Sequence, residues 1–200
     1  ERMLRETRTD KAILCFTGCD NFRYTVLPTY KANRRGAPRP VLLDVLIEHA
    51  RQVWECRSED SLEADDVMGI MATRSPRSHV IASTDKDLKQ VPGVHYNWRT
   101  DCMERVTTPD ADYWFYFQVL TGDSTDGYSG CPGVGPRRAK AVLEGAGEDP
   151  WASVVVAFES KGLSEEDALA QARVARILRC DDYDLKRRRP ILWCPRLDLA

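Results

Sequence analysis

The sequence contains no apolar run that approaches the roughly eighteen residues needed to span a bilayer, and it contains no internal repeat or low-complexity tract. Its seven cysteines are an odd number and include no CxxC pair, which argues against a zinc site or a disulfide framework and favours reduced thiols in a cytoplasm. The three histidines, at positions 49, 79 and 95, are too scattered to predict a shared site. What remains is a 200-residue chain with 42% hydrophobic and 30% charged residues, which is ordinary for one globular domain with or without a small appendage.

The charges nearly cancel in sum but are segregated along the chain. The formal net charge is −2, from 29 basic and 31 acidic residues. Residues 23–39 carry five basic side chains and no acidic one, residues 59–66 carry five acidic side chains and no basic one, and residues 186–189 are all basic. This pattern indicates a metal site within an anion-binding surface. For any single cluster, solvated surface charge is the alternative interpretation.

Strands alternate with helices in the first half of the chain, and the second half is helical. This order predicts an α/β fold with a mostly parallel sheet over residues 1–107, followed by a helical part over 108–200 that contains a helix–turn–helix at about 115–145. Prolines and a glycine among the basic residues at about 23–40 predict a mobile arch with little fixed core. The predicted strands are 11–18, 79–83, 94–98 and 103–107, and a hairpin is one arrangement of the last two. The predicted helices are 41–53, 62–73, 112–120, 137–143, 151–159 and 164–178.

Carboxylates fall in four places that such a fold can bring together. In an open parallel sheet the loops after the strands share one edge, where ligand sites form. Ligands that are all oxygen suit Mg²⁺ or Mn²⁺, and carboxylate-held metal pairs about 3.5–4 Å apart clamp both oxygens of a phosphoryl displacement. Each group alone also has a structural explanation as a helix N-terminus, a cap or a turn. The eight residues are Asp20, Glu63, Asp65, Asp66, Asp85, Asp87, Asp123 and Asp126.

A glycine-rich turn joins two of the predicted helices. Its backbone amides and the dipole of the second helix can hold a phosphate without reading bases. It lacks the GxxxxGK[ST] pattern of the nucleotide-binding loop, and a purely structural helical hairpin is the alternative. The candidate DNA-binding residues here are Gly133, Val134, Gly135, Arg137, Arg138 and Lys140.

Five segments together resemble the 5′→3′ exonuclease and flap endonuclease family, especially its phage and bacterial branch. The similar segments cover about residues 11–145 in the order of the family's motifs. They are Leu27–Arg34, Leu62–Val67, Ala82–Leu88, Thr121–Gly127 and Cys131–Pro136.

The resemblance implies a PIN-like or Rossmann-like nuclease core and a two-metal phosphodiesterase that acts on duplex DNA with a 5′ end or a 5′ flap. Lys31 and Arg34 would contact the scissile phosphate, and Tyr30 would either stack on a terminal base or pack within the arch. The family's turn is a helix–three-turn–helix that holds the duplex and often binds a monovalent cation, here K⁺. The implied ligands of one Mg²⁺ or Mn²⁺ are Asp20, Glu63, Asp65 and Asp66, and those of the other are Asp85, Asp87, Asp123 and Asp126.

One departure from the family concerns the first strand, which in the family carries an early aspartate ligand. The sequence begins without it, so we expect a fragment of a longer nuclease whose own activity is doubtful. Two alternatives follow: a DNA-binding module without catalysis, and a ribonuclease of the small PIN-like type. We further expect a monomer in a bacterial or phage-infected cytoplasm that works beside replication proteins.

Overall fold

The strands form three small sheets in the computed structural model, which describes residues 1–34, 36, 38–76 and 79–195. β1 (Ile13–Cys15) pairs in parallel with β2 (Glu55–Arg57). β3 (Val80–Ala82) pairs in parallel with β4 (Gly93–Asn97), and β4 pairs antiparallel with β5 (Cys102–Val106). β6 (Tyr183–Asp184) and β7 (Arg189–Pro190) form a short antiparallel hairpin.

The α/β fold is confirmed, but the sheets are mixed rather than mostly parallel. β4 and β5 are joined by a turn of four residues, and a connection this short can join only antiparallel strands. The structure also contains β2, which the sequence analysis missed because the outer two of its three residues are exposed and no apolar pattern marks it.

Eight α-helices lie in the described residues. The longer ones begin at recognisable caps: Thr107, Asp149 and Ser164 each accept a hydrogen bond from a backbone amide of the following first turn. The last of them ends three residues earlier than predicted, and residues 176–178 continue in an extended path. The helices are α1 (Arg2–Thr7), α2 (Arg23–Val26), α3 (Leu43–Val53), α4 (Ala64–Arg74), α5 (Thr108–Thr121), α6 (Pro136–Glu144), α7 (Pro150–Glu159) and α8 (Glu165–Ala175).

The apolar core joins the two predicted parts of the chain. One cluster is built around Phe115 and Phe158 of the helical part and includes Tyr30 from the first half. Two smaller clusters pack α4 against Leu178 and Ile177, which follow α8. The C-terminal segment therefore returns to the first half of the chain, and the division near residue 107 stays a prediction.

The first part of the predicted arch is packed rather than mobile. Arg23 and Tyr30 are each only 2% exposed, because both side chains find partners from distant parts of the chain. Arg35 and Ala37 lie outside the described residues. After them α3 is amphipathic as predicted but buries none of its residues. No helix in the described part of the chain is long and apolar enough to cross a bilayer.

Candidate active site

Four carboxylates from three separate segments line one small cavity. Glu63 and Asp65 come from the start of α4, Asp87 from the short 3₁₀ helix after β3, and Asp126 from the loop after α5. The cavity measures about 30 Å³, which is room for one or two water-sized species. The fold thus gathers acidic groups from three of the four sequence positions where they were predicted.

Asp65 is the carboxylate with no compensating partner. Within the described residues its side chain makes no hydrogen bond and no ion pair. Burial, and then the negative charges of Asp85 and Glu63, raise the pKa of Asp65 to about 7. A bound cation would offset the repulsion that Asp65 experiences from these charges.

Asp87 is held by a chain of hydrogen bonds through two buried glutamine side chains, called the amide relay. Gln118 Nε2 donates to Asp87 Oδ1 at 2.5 Å, and Gln118 in turn accepts a hydrogen bond from Gln90. Gln90 also donates to the carbonyl oxygen of Ala175 at the end of α8, at 2.8 Å. Burial, and then the charge of Asp85, raise the pKa of Asp87 to about 6. The relay fixes the position of Asp87 without neutralising it.

Glu63 and Asp126 are bridged by the segment that carries the predicted phosphate ligands. The Lys31 ammonium donates to Glu63 and lies 3.5 Å from Asp126 Oδ2. Arg34 Nη2 donates to Asp126 Oδ1 at 2.7 Å. The Tyr30 hydroxyl hydrogen-bonds to both carboxylates, at 2.8 Å from Glu63 Oε2 and 3.2 Å from Asp126 Oδ2. Lys31 and Arg34, the two predicted phosphate ligands, therefore form ion pairs with carboxylates that line the cavity.

The loop after α5 is shaped by close backbone contacts. Gly122 has a φ of +66°, and a Cβ there would lie 2.3 Å from the carbonyl carbon of Ser129, so only glycine fits. Asp123 Oδ1 accepts from the amides of Thr125 and Asp126 at 2.7 and 3.2 Å. The Lys31 amide donates to the Asp126 carbonyl at 2.7 Å, which ties this loop to the segment that bears Tyr30. Asp123 and Asp126 are thus presented by a backbone with little freedom.

Four of the eight predicted ligands do not line the cavity, namely Asp20, Asp66, Asp85 and Asp123. Two of these four, Asp66 and Asp20, have their contacts elsewhere. Asp66 is 0% exposed and pairs bidentately with Arg23, at 2.7 and 2.8 Å, while it also accepts from the amides of Leu178 and Glu63. Its oxygens are fully occupied, so it is a structural anchor rather than a ligand. Asp20 is exposed and accepts only from the amide of Asn21, at 2.7 Å, within its own loop.

Asp85 lies at the rim of the site. It is exposed, and its Oδ1 accepts from the Asp87 amide at 2.9 Å. Its charge nevertheless acts on both Asp65 and Asp87. Asp85 is therefore near the cavity without lining it.

The structure also removes Tyr30 from the predicted base-stacking role. Its ring is 2% exposed, packed among Tyr24, Tyr128 and the Arg23 guanidinium, and cannot meet a DNA base without leaving the core. Burial raises the pKa of the Tyr30 phenol far above its ordinary value, so the hydroxyl stays a proton donor to Glu63 and Asp126. Tyr30 therefore positions carboxylates.

The cavity's donors suit a hard divalent cation, although they do not form a finished coordination shell. In the part of the chain that the structure describes, no three His, Cys, Asp or Glu side chains stand close enough together to hold one metal ion. Mg²⁺, however, usually binds through only one or two protein carboxylates, with waters and phosphate oxygens as its other ligands. The cavity lining offers carboxylate oxygens and no histidine or cysteine, and Asp65 lacks a partner. The residues therefore fit Mg²⁺ or Mn²⁺.

The glycine-rich turn lies between α5 and α6 and leaves most of its predicted ligands exposed. Gly133 and Gly135 are exposed, as are Arg137 and Lys140. Arg138 donates to the Gly133 carbonyl at 2.7 Å and so braces the turn. Val134 differs, because its side chain is buried and its amide donates to the Cys131 carbonyl at 3.0 Å.

Arg23, Gln118 and Gln90 were missed by the sequence analysis as supports of this site. Arg23 was counted only among the basic residues of the arch. A signal for its role does exist: Asp66 falls at helical spacing between Leu62 and Ile70, which are both buried, so it lies on the apolar face of α4 and needs a buried cation. The two glutamines carry no comparable local signal.

Comparisons with known proteins identify the family of this chain. A family model described as the 5′-3′ exonuclease N-terminal resolvase-like domain matches residues 1–112. The exonuclease of Escherichia phage T7 is 33% identical, over 92% of this chain and 73% of the phage protein. A flap endonuclease Xni of Vibrio campbellii is also 33% identical, over 71% of this chain and 62% of that protein.

Solved structures show the same fold at lower identity. The D15 protein of phage T5, co-crystallised with metal ions, matches with a TM-score of 0.68 and 16% identity, over 87% of this chain and 78% of that one. A complex of the T5 D15 flap endonuclease with DNA and metal ions matches with a TM-score of 0.69 and 16% identity, over 87% of this chain and 76% of that one. On the family model and the phage T7 relative, this chain belongs to the 5′→3′ exonuclease family.

Proposed function

We propose that this protein is a metal-dependent nuclease that hydrolyses DNA phosphodiester bonds from 5′ ends and also cuts at 5′ flaps. The observation that carries the proposal is the cavity, where carboxylates from three segments meet Lys31 and Arg34. Relatives named exonuclease and flap endonuclease support both substrate forms.

Two divalent cations, Mg²⁺ or Mn²⁺, would be held by the carboxylates at the cavity. Glu63 and Asp65 serve one, and Asp87, Asp123 and Asp126 serve the other, with Asp85 and Asp20 acting through water. Bound there, the metal pair supplies an activated water and neutralises the charge of the reacting phosphate. The related T5 protein was crystallised with metal ions, which supports this assignment.

Lys31 and Arg34 supply the positive charge for the phosphate itself. Lys31 is only 16% exposed at its side chain, so its charge is little screened by solvent. Arg34 is more open, at 48%, and can reach outward while its segment stays fixed by the Lys31–Asp126 backbone contact. Both would stabilise negative charge that develops on the phosphate oxygens.

The glycine-rich turn is proposed to hold the duplex away from the cut, as the helix–three-turn–helix of a helical C-terminal part. Its exposed Gly133 and Gly135 allow a phosphate to approach the backbone at the start of α6, and Arg137 and Lys140 add charge. K⁺ would be held at this turn and would offset part of the charge of the DNA backbone. The protein would act as a monomer.

The test is cleavage of a 5′-labelled DNA duplex with Mg²⁺ by wild type and by Asp65→Asn and Asp123→Asn. Both variants should lose at least about 10²-fold in single-turnover rate, because each removes part of the charge that holds the metal. Asp10→Asn, an exposed change just before β1, is the matched control. Wild-type rates in both site variants would refute the site. A wild type that binds DNA but never cuts it, or that cuts only RNA, would refute the proposed activity.

A further inference from the structure

A hairpin near the end of the described chain carries four consecutive basic residues that the active site does not use. Residues 185–188 form the turn between β6 and β7, and Arg189 is the first residue of β7. Asp184 Oδ1 accepts from the amides of Lys186 and Arg187, both at 3.0 Å, and the Ile191 amide donates to the Asp182 carbonyl at 2.8 Å. The turn is therefore a built element that presents its charges in a fixed arrangement.

The hairpin is attached beside the edge that carries the site. Arg188 donates to Glu59 at 2.7 and 3.2 Å, and Glu59 follows β2 by two residues. Gly18, after β1, approaches the same place so closely that a Cβ on it would lie 2.1 Å from the Glu59 carbonyl oxygen. Because β1 and β2 run parallel, their carboxyl ends share this edge, and the chain continues from it within six residues to Glu63 and Asp65.

The other three charges of the hairpin face solvent. Arg188 is used for the anchor, whereas Lys186, Arg187 and Arg189 are exposed. Arg187 Nη1 lies 3.4 Å from Asp184 Oδ2, but its side chain is still 70% accessible. None of them lines the active-site cavity, and the neighbouring Tyr183 ring is buried. A row of exposed charges suits an extended polyanion better than a small anion.

We propose that this basic hairpin binds the phosphodiester backbone of the DNA substrate next to the active-site edge. The inference rests on the proposed nuclease function and adds a second contact region to it. A protein of formal net charge −2 must concentrate positive charge locally to hold DNA, and such contacts position the duplex without reading its sequence.

The test compares the triple variant Lys186→Ala, Arg187→Ala, Arg189→Ala with wild type in metal-free buffer, where DNA is bound but not cut. Affinity is measured between 50 and 200 mM salt for a blunt duplex and for the same duplex with a single-stranded 5′ extension. Three lost contacts should reduce the slope of log affinity against log salt concentration by about 2–3. The DNA affinity of wild type should therefore fall about 40-fold more than that of the variant between the two salt concentrations. Arg188 is left in place to preserve the anchor, and thermal unfolding checks the fold.

The matched control is Lys11→Ala, Arg74→Ala, Arg105→Ala. All three are exposed and lie at the opposite side, before β1, at the end of α4 and beside the start of β4. A reduced slope with the blunt duplex identifies a duplex contact, and a reduction only with the extension identifies a single-strand contact; both support the inference. An unchanged slope with both DNAs, or an equal reduction in the control, overturns it. If wild type binds neither DNA and cuts neither when Mg²⁺ is added, it is the nuclease function that fails.

Discussion

Two adjacent carboxylates at the start of α4 should respond in opposite ways to the same substitution. Asp66 is fully buried and accepts four hydrogen bonds, two from Arg23 and two from backbone amides. Asp65 has no such partner and faces other negative charges. We therefore expect Asp66→Asn to cost stability and Asp65→Asn to cost metal binding.

The magnitude for Asp66→Asn follows from the burial of its partner. Arg23 is 2% exposed, and removing the opposing charge leaves its guanidinium facing an amide, although the carbonyls of Val174 and Arg176 still accept from it. Breaking a buried ion pair from one side costs about 3–5 kcal/mol. At about 2–4 °C per kcal/mol for a chain of this length, Tm should fall by about 6–20 °C.

Asp65→Asn should leave Tm in metal-free buffer at pH 8 unchanged or raised. At that pH the aspartate is charged among other carboxylates, which is unfavourable because its pKa is raised by burial and by Asp85 to about 7. The asparagine removes this repulsion, so the variant loses only the ability to bind a cation. Calorimetry with Mg²⁺ should then show a Tm increase for wild type that is absent from the variant.

The assay is thermal unfolding followed by circular dichroism, with Asp10→Asn as the exposed control. A Tm for Asp66→Asn within about 2 °C of wild type, which is the shift expected from about 1 kcal/mol or less, would refute the anchoring role of the Arg23–Asp66 pair. A fall in Tm for Asp65→Asn as large as that for Asp66→Asn would refute the division of roles between the two carboxylates.

Two further predictions concern the supports and the protonation of the site. Tyr30→Phe and Gln118→Leu each remove hydrogen bonds to proposed metal ligands. Each should therefore raise the Mg²⁺ concentration for half-maximal cleavage by about 10–100-fold, which is the usual effect of losing a residue that supports a metal ligand. Tyr113→Phe is the control, and an unchanged Mg²⁺ dependence in the two variants would contradict the positioning role. The raised pKa values of Asp65, about 7, and Asp87, about 6, mean that these two groups bind more protons in the folded metal-free protein than in the unfolded chain, so their contribution to stability should fall as pH rises from about 4 to 7. Denaturant unfolding with EDTA at several pH values measures this trend, and the variant Asp65→Asn, which cannot titrate there, should show a weaker one.

Local patterns predicted the elements well where the chain has a clear period or cap. The strands at 80–82, 93–97 and 102–106 and the helices from α3 to α8 were predicted from apolar runs, helical spacing and N-terminal capping residues. The family was also identified correctly from the sequence, because several motifs occur in order. β2 was missed because it is a short exposed strand with no apolar alternation.

The packing of the arch could not be read from its own residues. Glycine and prolines at 28–40 do favour irregular backbone, but Arg23 and Tyr30 are buried by partners more than thirty residues away, Asp66, Glu63 and Asp126. Such contacts depend on the tertiary fold and leave no local pattern.

For the predicted carboxylates, too, sequence spacing predicts part of the arrangement and tertiary packing decides the rest. Spacing can place Asp65 and Asp66 at a helix start, but successive residues on a helix point about 100° apart, so at most one of them can face the cavity. The apolar neighbours of Asp66 at positions 62 and 70 decide which one. A lone acid on an apolar helix face is thus better interpreted as half of a buried ion pair than as a metal ligand.

The site also shows how a cluster of acids persists in a folded protein. Each carboxylate that lines the cavity, apart from Asp65, has a donor that offsets its charge or fixes its position: Lys31 and Tyr30 for Glu63, Arg34 for Asp126, and Gln118 for Asp87. The two cationic donors, Lys31 and Arg34, are also the residues proposed to hold the scissile phosphate. The same side chains therefore reduce the repulsion among the carboxylates and take part in the proposed reaction. Asp65 makes no hydrogen bond or ion pair among the described residues, and burial with the charges of Asp85 and Glu63 raises its pKa to about 7, so a bound divalent cation would relieve an unfavourable charge there.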